Sequence, residues 1–368
     1  MPIEFASSPR PTIGVEVELE LVDRESRQLV SGAYEILREM GEGHPDGKHP
    51  KAKHELLQST VELITGICNT VAEAKADLQD SLDELRMLTQ PRGLLVMCSG
   101  THPFTDPVTQ EVTPDPRYQR LVEEMQWPAR QMQIFGIHVH VGVRSGEKAM
   151  AMVNALSGYI PEFLALSASS PYWMGHDTGL ASCRSKVFEG LPTAGPPWQL
   201  ASWSGFGTVE LRICDGVPTL QEVAVMAALS QCLVQRFDAL LDRGYTLPMP
   251  RAWIVRENKW RAARHGLEAW IIVDDRGTTR PLRDTIAELI EELMPIAKRL
   301  GCAAELQGAF SIMERGPSYI RQREVVAAGG SLVDVVDSLV RELEADQPEP
   351  RPQEETEVTA RRSQTKVS

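Results

Sequence analysis

The chain has 368 residues, 42% hydrophobic and 24% charged, which is enough apolar material for one or two packed domains and excludes a globally disordered polypeptide. Its formal net charge of −13 argues against a nucleic-acid or membrane partner, since nucleic acid and anionic membranes both select a basic face. The six cysteines form no C-x-x-C pair, the N-terminal stretch has no apolar signal core, and no unbroken run of 18 apolar residues occurs, so reduced thiols, a cytoplasmic setting and no membrane-spanning helix are expected.

In chain order, "TIGVEVELELV" (Thr12–Val22) comes first. Val15, Val17, Leu19 and Leu21 alternate with acids or glycine, the signature of a strand with one aliphatic face. "GAYEILREM" predicts a short helix and "GEGHPDGKHP" a loop. "KAKHELLQSTVELITGIC" predicts two extended pieces broken near Ser59. A helix capped by Asn69 or Thr70 follows, with Val71, Leu78, Leu82 and Leu85 as its stripe and Pro91 past its end. "GLLVMCSG" is an apolar strand, 116–130 reads as helical, and "FGIHVHVGV" is a second alternating strand. Residues 146–170 read as one long helix bent near Pro161. Residues 171–206 form a long irregular stretch, a kind of segment that often carries function. After the strand "FGTVELRICDG", helices are expected at 219–242, 251–265, 281–299, 303–315 and 330–345. The polar, proline-bearing segment 346–368 predicts a disordered tail. The pattern is α+β: a single domain over 1–345, with antiparallel strands early and a helical C-terminal third at 219–345.

The polar faces of these strands share a composition. Glu16, Glu18 and Glu20 line the first, and His138 and His140 line another. Glu210 and Arg212 stand on a third; Glu62 stands on a fourth, with Glu55 seven residues before it. If these strands share one sheet, the acids converge and need neutralising charge. An oxygen-rich set with histidine suits Mg²⁺ or Mn²⁺, and nearby arginine suits phosphate chemistry. The opposing reading is a solvated sheet face, which is the expectation for Glu20, and a hydrogen-bonded structural role for a lone strand histidine. The absence of a Walker sequence, of G-x-G-x-x-G after a strand and of G-x-S-x-G argues against P-loop, Rossmann and serine-hydrolase sites.

"TIGVEVELELV", "HELLQSTVELITG", "FGIHVHVGV", "SPYWMGHDTGLASCRSKVFEGLPTAGPP" and "FGTVELRICD" together resemble the carboxylate–amine ligase family related to glutamate–cysteine ligase, its type 2 or YbdK-like branch. The likeness runs over about residues 10–345. It implies a curved antiparallel sheet funnel wrapped by helices, similar to the glutamine synthetase catalytic domain. It also implies ATP and Mg²⁺ (or Mn²⁺) as cofactors, with glutamate and an amine such as that of cysteine as substrates, joined through an acyl phosphate. Carried over by position, Glu18, Glu55 and Glu62 would hold one metal, and Glu16, His138 and Glu210 a second. Arg212 would contact phosphate or a substrate carboxylate, and Arg184 and Lys186 would bind anions. His140 ranks below His138, with a supporting or structural role beside a ligand role, and Glu20 is expected to be structural. A homodimer is a reasonable expectation. One departure stands out: after "PTAGPP" the family's helix and its Trp-Asp-x-Arg-Pro-like segment are missing. That leaves a second expectation open, a nucleotide- or metabolite-binding relative that no longer ligates.

Overall fold

In the computed structural model, residues 5–191, 200–203 and 207–351 are described. The first strand, β1 (Ile13–Asp23), organises the rest. Val15, Val17, Leu19 and Leu21 are buried on its aliphatic face, as the alternation predicts. Around it lie β2 (Ala52–His54), β3 (Thr60–Ile64), β4 (Leu94–Met97), β5 (Gly136–Gly142), the separate hairpin β6 (Tyr172–Trp173) and β7 (His176–Asp177), then β8 (Leu200–Trp203) and β9 (Thr208–Asp215). The main sheet is antiparallel, in the order β2-β3-β1-β5-β9-β8. β1 is long enough to serve two further partners, β5 along Ile13–Val17 and β4 along Glu20–Asp23. A second hairpin, β10 (Trp270–Ile272) with β11 (Thr279–Pro281), stands apart.

The helices are α1 (Ala33–Met40), α2 (Val71–Thr89), α3 (Pro116–Met125), α4 (Trp127–Arg130), α5 (Gly146–Leu156), α6 (Ile160–Ser167), α7 (Arg184–Glu189), α8 (Leu220–Asp242), α9 (Ala252–His265), α10 (Leu282–Leu300), α11 (Ala303–Arg315), α12 (Ser318–Ala327) and α13 (Leu332–Ala345). α2 begins with a reciprocal cap: Thr70 accepts from the Glu73 amide while the Glu73 side chain accepts from the Thr70 amide. Its Leu78, Leu82 and Leu85 join the aliphatic sheet face and α8 in one continuous core. By length and composition, Leu220–Asp242 and Gly146–Ser167 could each cross a membrane, but 72% and 61% of those windows are buried inside this fold.

Several local expectations need correction. The long helix of 146–170 is two helices, interrupted by a 3-10 turn at Ser157–Tyr159, with Pro161 in the first turn of α6 where a missing amide costs nothing. The helical stretch at 116–130 divides at Gln126, whose φ is +53°. The stretch 171–206 contains a hairpin, α7 and β8. α12 carries too little apolar periodicity to be read from sequence; it is held by buried polar side chains, Arg321 and Gln322 among them. The tail expected from 346 starts as packed chain. Asp346 accepts from the Gln221 amide and pairs with Lys75, and Glu349 accepts from Ser338. Residues 352–368 lie outside the described residues.

A buried ionic triad ties the C-terminal helices to α8. Arg321, 3% exposed, donates to Glu222 at 2.9 Å and to Glu342 at 2.7 and 2.8 Å. Replacing it strands two buried carboxylates, so Arg321→Met is expected to destabilise the protein by about 3–5 kcal/mol in urea unfolding.

Candidate active site

The strand register assembles the polar residues. Glu18 stands directly across from Glu62, Glu16 from His138, and His140 from Glu210. Directly opposed residues share a face, so four strands place one diagonal row of acids and imidazoles on the sheet. Glu55, in the turn between β2 and β3, swings onto the same group: ligand atoms of Glu18, Glu55 and Glu62 lie within 4.8 Å of one another. Glu16, Glu62 and His138 form a second such group, and Glu16, His140 and Glu210 a third. His140 therefore belongs to the cluster on the same terms as His138.

Distances and burial set the electrostatics. His138 Nδ1 lies 2.9 Å from Glu16 and 3.8 Å from Glu210. Burial would raise the Glu16 carboxyl, but hydrogen bonds from His138 and His140 outweigh it and hold the group well below the usual range. Burial keeps His138 below its ordinary value, against the opposing pull of Glu16 and Glu210. Glu18 is pushed up to about 8, first by burial and then by Glu55. Glu62 is pushed up to about 9 by burial and by Glu55, Glu16 and Glu18. Burial raises Glu55 too. Burial and mutual repulsion both disfavour the charged form of these acids, and a cation among them would relieve both. His140 Nε2 is buried with no hydrogen-bond partner, although carboxylate oxygens of Glu16 and Glu210 sit 3.3 and 3.7 Å away. This donor set fits hard divalent cations such as Mg²⁺ or Mn²⁺.

A cavity of 210 Å³ opens beside the row. Glu18, Glu55 and His138 line it, as do Arg117, Arg184 and Arg212. Arg212 donates to Glu210 at 2.7 Å from the same strand face. Arg184 is 7% exposed and set into the wall. Its guanidinium reaches the Ile213 and Arg212 carbonyls, and its amide donates to Ser170 Oγ. Ser170 in turn donates to the buried Asp215, whose other oxygen accepts from Ser182. A Cβ at Gly136 would meet Arg184 Nη2 at 2.2 Å, so a larger residue there would displace the guanidinium from its present place. The Gly136 amide donates to Glu18 at 2.5 Å, which ties the acid to this arrangement.

Two sequence expectations are not met. Lys186 does not line the cavity; it pairs with Glu189 and lies 5.2 Å over the Trp260 ring. Glu20 is not solvated: it is fully buried and accepts from the Ser99 amide and hydroxyl, and burial raises its carboxyl well above the usual range. Arg117 was missed. It lies in the first turn of α3, a segment with no strand alternation to mark it, and stays exposed at the rim while its neighbour Tyr118 is a buried part of the wall. The shortening expected after Pro197 falls largely on residues outside the described ones.

The sequence model of glutamate-cysteine ligase family 2 matches residues 12–209 and 202–338. The chain belongs to glutamate–cysteine ligase family 2. Such family members are ligases that form a C–N bond between a carboxylate and an amine. A protein of Frankia casuarinae with the provisional name glutamate–cysteine ligase 2-1 is 52% identical over 95% of this chain and 99% of its own length. A Thermobifida fusca protein provisionally named glutamate–cysteine ligase 2 is 50% identical over 95% and 94%. The fold is that of glutamate–cysteine ligase from Francisella tularensis, solved with AMP. The TM-score is 0.67 at 12% identity, covering 95% of this chain and 91% of that one. A bifunctional glutathione synthetase from Pasteurella multocida aligns with a TM-score of 0.58 at 12% identity, covering 91% of this chain and 52% of that one.

The raised acids give this family 2 chain a pH signature. In the native state Glu18 and Glu62 keep protons up to about 8 and 9, whereas the unfolded chain releases them near 4.5. Between those limits the native state binds more protons, so stability falls as pH rises, by up to about 1.4 kcal/mol per pH unit for each acid. With chelator present, thermal unfolding from pH 5 to 9 is expected to show this decline. Glu18→Gln with Glu62→Gln should make it shallower, and MgCl₂ in millimolar excess over the chelator should restore stability at the alkaline end.

Proposed function

We propose that this protein is an ATP-dependent ligase that joins the γ-carboxylate of glutamate to an amine, with cysteine's as the default acceptor. The carrying observation is the buried row of acids, cationically unbalanced, with three arginines facing the same cavity. A carboxylate resists attack by an amine and needs activation. In the proposed reaction its oxygen attacks the γ-phosphorus of ATP, and the bond to ADP breaks. The amine nitrogen then attacks the acyl carbon, the bond to phosphate breaks, and the amine loses a proton.

Each residue set has a physical role in that scheme. Arg212 and Arg184 face the cavity where phosphoryl charge would develop, and a preorganised guanidinium offsets such charge without reorganising. Mg²⁺ or Mn²⁺ held by Glu18, Glu55 and Glu62, and by Glu16 and Glu210 with the two histidines, would supply positive charge to the nucleotide's phosphate oxygens. Burial of Arg184 in the Asp215 network favours a fixed geometry over a searching side chain. All six cysteines are buried and free, which supports a reducing, cytoplasmic setting.

A second reading has its own observation. The family match comes in two segments that overlap at 202–209, close to the stretch after Pro197 where the chain is expected to be shortened. β8 (Leu200–Trp203) pairs with β9 (Thr208–Asp215) across this junction. In that reading the protein binds nucleotide but does not ligate.

ADP release with Mg²⁺, ATP, glutamate and a panel of amines separates the two. Amine-dependent ADP establishes the ligase; saturable ATP binding with no ADP under any condition establishes the second reading. For an active enzyme, Glu18→Ala and Glu210→Ala should each lower ADP formation by at least about 10³-fold while circular dichroism stays native. Wild-type turnover in either variant would remove the metal-site argument.

A further inference from the structure

Cys232 and Cys302 take no part in the acid row, yet their sulfurs meet. Cys232 lies within α8, and Cys302 stands at the start of α11, just after the turn that ends α10. Their Sγ atoms are 3.7 Å apart and oriented for a thiol–thiol hydrogen bond, and both residues are fully buried. Two other buried thiols are engaged differently: Cys68 donates to the Gly66 carbonyl and Cys98 to that of Glu18. A cysteine serving only as a small apolar filler needs apolar neighbours and no facing sulfur.

The two sulfurs are unlike. Cys302 is held below the ordinary thiol range by the hydrogen bond from Cys232. It also sits at the N-terminus of a 13-residue helix, whose dipole favours a thiolate. Cys232 is held above that range, first by its hydrogen bond to Cys302 and then by burial. This is the division between an attacking thiolate and a resolving thiol. The way in for a small reagent is the turn before α11, where Gly301 and Ala304 on either side of Cys302 are exposed. Nothing lies within 4 Å of the place a Cβ on Gly301 would take, so the outer side of the turn is open. A disulfide of about 2.05 Å would need the sulfurs to close by roughly 1.7 Å.

We propose that Cys232 and Cys302 are a peroxide-sensitive dithiol that closes reversibly to a disulfide and staples α8 to α11. The Cys302 thiolate attacks one oxygen of hydrogen peroxide, the O–O bond breaks, and hydroxide leaves with a proton as water. Cys302 then carries a sulfenic acid. The Cys232 sulfur attacks the Cys302 sulfur, the S–O bond breaks, and the hydroxyl leaves with the Cys232 proton as a second water. One peroxide is reduced and two thiols are oxidised; a dithiol reductant reverses the step. Both cysteines belong to the core on the aliphatic side of the sheet, so the staple forms behind the acid row. A cross-link between distant points of the chain constrains the unfolded state, so the oxidised protein resists denaturant. The proposal does not depend on the ligase reading.

Peroxide treatment of the full chain at neutral pH without denaturant tests it, with remaining thiols blocked by N-ethylmaleimide before non-reducing peptide mapping. One peptide pair joined through Cys232 and Cys302 is expected, lost on dithiothreitol treatment, and the oxidised protein should unfold at higher urea than the reduced. Cys232→Ala should leave a sulfenic acid on Cys302 that dimedone captures, whereas Cys302→Ala should give no adduct on Cys232. The wild-type map decides by itself where a variant fails to fold. No such pair at peroxide doses that oxidise the exposed Met87 and Met249, a pair formed only after urea has unfolded the chain, a urea midpoint that does not rise, or dimedone capture on Cys232 would each overturn the proposal.

Discussion

The constraint on which the rest of the structure depends is the crowding of carboxylates on one sheet face. Glu16, Glu18, Glu62 and Glu210 cannot lie so close out of water unless something offsets their charge. The protein does part of this itself. Two imidazoles draw Glu16 down, the Gly136 amide donates to Glu18, and arginines stand alongside. The remaining imbalance appears as acids that retain protons far above their ordinary range.

That crowding is possible because the opposite sheet face is so well anchored. Val15, Val17, Leu19 and Leu21 enter a core shared with α2 and α8, and Val139, Val141, Val209 and Leu211 extend it across β5 and β9. A one-residue slip of β1 would drive its glutamates into that core, so hydrophobic burial fixes the register that aligns the acids. Stability on one side of the sheet thus sustains electrostatic strain on the other.

Much of this was legible in the sequence because both faces of a strand are written in alternate letters. Glu16, Glu18, Glu62, His138 and Glu210 could be assigned to polar faces from spacing alone; Glu55 was visible seven residues before Glu62, and the family resemblance gave it a ligand role. What spacing cannot convey is which members of a face meet. His138 and His140 are equivalent by alternation; the pairing of His140 with Glu210 brings it into the cluster. Glu20 continues the same row, but Ser99 covers it. Lys186 shares a segment with Arg184, yet about half a turn of helix carries it toward Glu189 and Trp260. Arg117 depends on a helix start packed over the sheet, a tertiary fact with no local signature.

The space above Gly136 has a consequence for how this protein can change over time. Arg184 occupies the volume that any larger residue at 136 would need. A substitution at 136 made first would meet the guanidinium, and loss of Arg184 made first would open a void beside Glu18. Each change alone disturbs the same space, so a change at one position alters what the other can accept.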